Sequence, residues 1–149
     1  MKIYIACDHR GVELKKYLID NLKKSYKVYD SLLPNSSEDD YPDFAFDICT
    51  KMDKEDDLGI LICGTGIGIS IAANKVKGIR CARVNNIEDA KSARIHNHAN
   101  VIAIPASLEE PTALEIIEDF LTTKPSLEER HQRRVNKIIN YEKEAYNEL

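Results

Sequence analysis

No segment of this 149-residue chain is apolar for anything close to the roughly 20 residues that a membrane-crossing helix needs, which excludes an integral helical membrane protein. The opening Met1-Lys2-Ile3-Tyr4 lacks the long apolar stretch and small-residue cleavage site of a secretory signal, so export is not expected. The four cysteines, Cys7, Cys49, Cys63 and Cys81, show neither a CxxC pair nor paired metal spacing. They read as reduced thiols in a cytoplasmic protein. An excess of basic charge is missing too: a net charge of −4 argues against a dedicated nucleic-acid binder. Repeats and low-complexity stretches are absent. What is there, 43% hydrophobic and 31% charged residues, suits one domain over residues 1–149. A chain of this size buries roughly 68–70% of its unfolded surface without disulfide or metal staples. The classes left open are a cytoplasmic enzyme and a small-ligand binding domain.

Short apolar runs alternate with amphipathic segments along the whole chain. Strands are expected at 2–6, 27–30, 58–62, 79–84 and 101–104, and helices over 12–22, 44–52, 69–76, 87–95 and 112–121. Leu58-Gly59-Ile60-Leu61-Ile62 has no polar alternation, as in a parallel strand covered on both faces. Residues 31–43, with prolines, an asparagine and serines, form a loop, and Pro111 stands near a helix start, where its missing N–H does no harm. The β-α alternation predicts an α/β fold: a three-layer α/β/α sandwich on a Rossmann-like five-stranded parallel sheet. A C-terminal helical tail, 126–149, follows with Ser126 as its N-cap. The tail carries Arg130, Arg133, Arg134 and Lys137. It is either a solvated charged helix or a segment that offers Arg130 and Arg134, four apart and on one face, to an anion or a partner subunit.

Ligands of an open parallel sheet bind beyond the carboxyl ends of its strands. Cys7-Asp8-His9-Arg10-Gly11 stands after the first strand and Cys63-Gly64-Thr65-Gly66-Ile67-Gly68 after the third. His96-Asn97-His98 just before the fifth is expected at or next to the same edge. The glycine loop is not a dinucleotide fingerprint, because its third glycine comes one residue early and the following strand ends without an acidic residue. Nor is it a P-loop, since Gly68-Ile69-Ser70 lacks the lysine. It still supplies backbone N–H groups around a concavity that stabilises an anion. Cys63 is either a buried strand-closing residue or a thiol activated beside the next helix's N-terminus. A zinc site from His9, His96 and Cys63 has no supporting spacing.

These motifs resemble a known group. Cys7-Asp8-His9 with Gly11, Asp40-Tyr41-Pro42, the run from Cys63 to Lys75, Gly78-Ile79-Arg80, His96-Asn97, Asn100-Val101 and Arg130-His131-Gln132-Arg133-Arg134-Val135 are similar to those of the type B ribose-5-phosphate isomerases. Allose-6-phosphate and galactose-6-phosphate isomerases share that family. The resemblance implies aldose–ketose isomerisation of D-ribose 5-phosphate and D-ribulose 5-phosphate through a cis-enediolate, with no cofactor and no metal. It implies Cys63 as the general base, Thr65 with the amides of Gly64, Gly66, Ile67 and Gly68 as the enediolate cradle, and His96 with Asp8 at ring opening. His9, Arg130 and Arg134 resemble phosphate ligands, and Asn97 and Tyr41 sugar-contacting residues. The arginines are expected to reach across a homodimer or tetramer whose active site is shared between subunits. Neither nucleic acid nor membrane is an expected partner.

One branch of the family uses a glutamate as base where this chain has Ile69, which points back to Cys63. Three departures stand out. Ser107 occupies the place of a phosphate-binding arginine, a loss that Arg10 or Arg133 would have to offset. Glu128 and Glu129 replace glycines, and residues 31–34 replace a glycine turn. The alternatives are a six-carbon aldose phosphate as substrate or a non-catalytic phosphosugar-binding module.

Overall fold

The computed structural model describes residues 1–147. Strands β1 (Lys2–Cys7), β2 (Lys27–Asp30), β3 (Leu58–Cys63), β4 (Cys81–Arg83) and β5 (Val101–Pro105) form one sheet of order β2-β1-β3-β5-β4, parallel throughout. Among the described residues six α-helices accompany it: α1 (Val12–Leu22), α2 (Tyr41–Lys51), α3 (Ile67–Ala73), α4 (Ile87–Asn97), α5 (Glu110–Thr122) and α6 (Glu129–Asn147). Every residue of β3 and β5 is buried, as the unbroken apolar run of β3 requires. Side chains alternate between two cores. Ile60 and Ile62 join Ile3, Ile5, Ile102 and Phe120 under α1, α4 and α5, whereas Leu61 and Cys63 join Ala6, Phe44, Ile48 and Ile69 under α2 and α3. The expected three-layer sandwich is the observed one. Among the described residues no helix is long and apolar enough to cross a membrane.

Some boundaries differ from expectation for identifiable reasons. β4 starts at Cys81 rather than residue 79, because the Ile79 N–H turns back to the Val76 carbonyl and the Arg80 N–H is taken by Asn100 Oδ1. α3 starts earlier, directly after Gly66, and ends at Ala73 as the chain tightens into turns from Lys75 and Val76 to Ala72 and Ala73. Ser126 is not the N-cap of the tail. Its N–H bonds the Ile95 carbonyl and its hydroxyl accepts from Glu128, so α6 begins at Glu129, with the Glu128 carbonyl taking the first helical N–H groups. Residues 148–149 of the expected tail lie outside the described residues.

α6 lies across the edge where the strands begin. His131 stacks on His96 with ring centroids 4.6 Å apart, and Val135 is buried. Farther along, Glu142 Oε1 accepts the Gly78 N–H at 2.8 Å, and the Tyr146 hydroxyl donates to the Lys75 carbonyl at 2.8 Å. One face of the tail is therefore docked on its own chain. The flank beside it, with Arg134, Ile138 and Tyr141, is exposed.

Buried Asn100 ties this edge together. Its carbonyl oxygen takes the Arg80 N–H at 2.8 Å, and its amide donates to Gly78 at 2.9 Å and Lys54 at 3.2 Å. Asn100→Ala should strand three backbone groups and lower the free energy of unfolding by about 3 kcal/mol. Urea denaturation checks this through a lower midpoint at unchanged slope.

Candidate active site

At the carboxyl edge the chain leaves β1 through a tight turn, His9–Gly11. The buried Asp8 carboxylate caps it, accepting the Arg10 N–H at 2.9 Å. Gly11 must be glycine, because a Cβ there would come within 2.7 Å of Ile62. His9 is held from the long loop after β2. Asp39 accepts both its backbone N–H at 3.0 Å and its ring Nδ1 at 2.7 Å. An ionised carboxylate only accepts, so this contact places a proton on Nδ1 and leaves Nε2 free.

β3 ends on Cys63, which is 4% exposed and faces the core under α2 and α3. The three glycines that follow are each pressed against something. A Cβ on Gly64 would lie 2.9 Å from Arg10 Nη1, and one on Gly68 would lie 2.6 Å from the Tyr41 ring. Gly66 combines a left-handed φ of 76° with a 2.9 Å approach to the Ile104 backbone, so no side chain is tolerated there. The Thr65 hydroxyl accepts the Ile67 N–H at 3.2 Å, which occupies one of the expected cradle amides within the loop itself. The Thr65 carbonyl accepts Arg83 Nε at 3.0 Å. Asp8, His9, Tyr41, Cys63, Gly64, Thr65, Gly66, Ile67 and Gly68 thus gather at one edge.

His96 and Asn97 do not join them, which corrects the placement expected from sequence. α4 runs against the strands, so its last residues fall where β5 begins. The Ala99 and Asn100 backbone that follows bonds to Ala93 and to Arg80 at the start of β4. Cys63 pairs with Pro105 at the other end of β5. Five residues of strand separate the two positions by roughly 16 Å. A zinc set of His9, His96 and Cys63 is therefore not assembled within the chain. Arg130 and Arg134 share the amino edge with His96. Arg130 is exposed and pairs with Glu128 at 3.1 Å, and Arg134 is exposed. The candidate residues therefore fall into two groups on opposite edges of the sheet.

The sequence profile described as Ribose/Galactose Isomerase matches residues 3–138. The chain belongs to that family. It is 48% identical to a protein named probable ribose-5-phosphate isomerase B from Mycoplasma genitalium, over 96% of this chain and 97% of that one. The crystal structure of ribose-5-phosphate isomerase B from Mycoplasma genitalium with bound ribulose-5-phosphate superposes with a TM-score of 0.90 at 46% identity, covering 96% and 97% of the two chains. Clostridium thermocellum ribose-5-phosphate isomerase B gives a TM-score of 0.90 at 42% identity, covering 97% and 99%.

Two groups in this ribose/galactose isomerase were not foreseen from its sequence: Asp39, half-buried in the loop yet bonded across 30 residues to His9, and Arg83, which pins the glycine loop. Outside the site, burial raises the Cys7 and Cys49 thiols to about 12 and also raises Cys81, so these remain protonated. Burial acts to raise Asp39 as well. Hydrogen bonds from His9, Asn35 and Ser36 outweigh it and draw the carboxyl from 3.8 down to about 2. A carboxyl lowered on folding contributes stability above its unfolded pKa and loses it as pH falls through the folded value. Asp39→Asn should therefore lose most stability at pH 5, with the gap to wild type narrowing between about pH 4 and 2. Urea midpoints across that range test this. A gap independent of pH would contradict it.

Proposed function

We propose that this chain interconverts D-ribose 5-phosphate and D-ribulose 5-phosphate, at sites completed by a second copy of itself. The observation that carries the reading is the division of one catalytic set between opposite edges of the sheet. Its physical corollary is a two-fold contact: when two identical surfaces meet, the carboxyl edge of one copy faces the amino edge of the other, and the reverse holds at the same time. The exposed apolar residues fit such a contact. Ile67 and Ile71, one turn apart on α3, are half-exposed beside the glycine loop, and Ile138 and Tyr141, the latter 75% exposed, continue the Arg134 face of α6.

The chemistry follows from residue types. His96 of one copy gives a proton to the ring oxygen as its bond to C1 breaks, the C1 hydroxyl passes its proton to the buried Asp8 carboxylate of the other, and the furanose opens to the C1 aldehyde. Cys63, as thiolate, removes the proton from C2. The C–H electron pair becomes the C1–C2 double bond, and the carbonyl pair moves to O1. The Thr65 hydroxyl, already accepting from Ile67, keeps its own proton to donate to the enediolate oxygens, with the loop amides beside it. A proton passes from O2 to O1, the Cys63 thiol returns its proton to C1, and the C2 ketone forms. The reaction is proton transfer throughout. Arg130 and Arg134 of the partner copy supply cations for the phosphate.

Cys63→Ala should reduce turnover of ribose 5-phosphate by about 10²- to 10⁴-fold, the range for loss of a positioned base. Turnover within twofold of wild type would remove Cys63 from that role. Parallel assays with allose 6-phosphate decide between pentose and hexose. Mixing inactive Cys63→Ala and His96→Ala proteins tests the shared site. Each mixed dimer contains one doubly damaged and one intact site, so random exchange should restore about a quarter of wild-type activity. No recovery after verified subunit exchange would mean that each chain works alone.

A further inference from the structure

We propose that Arg10 is a binding residue for the substrate phosphate, contributed from the carboxyl edge to meet the arginines of the second copy; the proposal rests on the reading above and deepens it. The arginines sort themselves by what their guanidinium groups do. Arg80, Arg83 and Arg94 donate through Nε to the carbonyls of His98, Thr65 and Thr123. Arg130 and Arg133 pair with Glu128 and Glu129. Arg10 and Arg134 alone have side chains that make no ion pair and no hydrogen bond among the described residues. One stands at each edge, on the two surfaces that the reading brings together.

Arg10 is also aimed. Its turn is fixed by Asp8 accepting the Arg10 N–H and by Gly11 packed on Ile62. From there the side chain lies on Gly64, with Cδ and Nη1 within 3.1 Å and 2.9 Å of where a Cβ would stand. The residue it covers directly follows Cys63. Beside it is a hollow of about 530 Å³ lined by His9 and Ala106 among others, and by Glu13, Glu109 and Glu110, none of which pairs with the guanidinium. A planar fork with five donors and no acceptor matches a phosphate dianion two-pronged, as no sugar hydroxyl does. Arg133, the other cation that would offset Ser107, is engaged with Glu129 at 2.6 Å and lies away from the Arg134 face.

The test compares Arg10→Ala, Arg10→Lys and Arg133→Ala in the full-length protein. For Arg10→Ala, KM for ribose 5-phosphate and the inhibition constant of inorganic phosphate should rise together by about 10- to 100-fold, with kcat within about threefold. Arg10→Lys should recover part of the loss, and Arg133→Ala should match wild type. Unchanged KM and phosphate inhibition in Arg10→Ala overturn the proposal, as does an equal effect from Arg133→Ala. Calorimetric titration with inorganic phosphate separates the two claims. Should wild type bind phosphate but leave ribose 5-phosphate unconverted, the proposed function fails, while weakened phosphate binding by Arg10→Ala still supports Arg10. Equal affinity, or no phosphate binding by wild type, overturns it.

Discussion

Because β3 hydrogen-bonds in parallel with both β1 and β5, every strand ends on one edge of the sheet and every returning helix ends on the other. This direction of pairing governs the chemistry more than any single side chain does. Groups placed just after strands, such as Asp8 and Cys63, share a surface by construction. Groups placed at the close of a crossover helix, such as His96 and Asn97, are carried to the far side with equal certainty. No loop rearrangement brings them together across the length of a strand. A chain that keeps chemistry-bearing residues at both places cannot join them on one surface of its own.

The carboxyl edge itself is shaped by what glycine permits. Gly64, Gly66 and Gly68 form a tight run, and each is pressed by a different neighbour: the Arg10 side chain, the β5 backbone and the Tyr41 ring. The loop is therefore defined by close approach rather than by a long helix behind it, since α3 has only seven residues. Arg83 and the Thr65 hydroxyl hold it from within. Such a loop holds its amides in a set arrangement without help from a ligand, which is the condition for stabilising charge that develops during a reaction.

Much of this was legible in the chain. The unbroken apolar β3, the alternation of strand and helix and the Gly64–Gly68 cluster follow from residue order, because each is a local matter of burial or backbone freedom. What residue order did not convey has a common cause. The edge on which His96 stands depends on helix direction, not on proximity to a strand in sequence. Asp39 lies in a polar loop whose composition says only that it turns, and its bond to His9 joins segments 30 residues apart. The start of α6 depended on Ser126 being anchored to Ile95, a contact between distant segments that overrides its capping preference.

The far end of α6 is held by contacts remote from any chemistry: Glu142 on Gly78, Tyr146 on Lys75, and the Lys77 ammonium 5.5 Å from the Tyr146 ring. They immobilise the helix before ligand is present. The conformational entropy of ordering a long polar segment is thus lost during folding, so any contact made by the exposed Arg134 flank is formed by a helix already in place. Preorganisation of that flank is, in this molecule, the work of the tail's last turns.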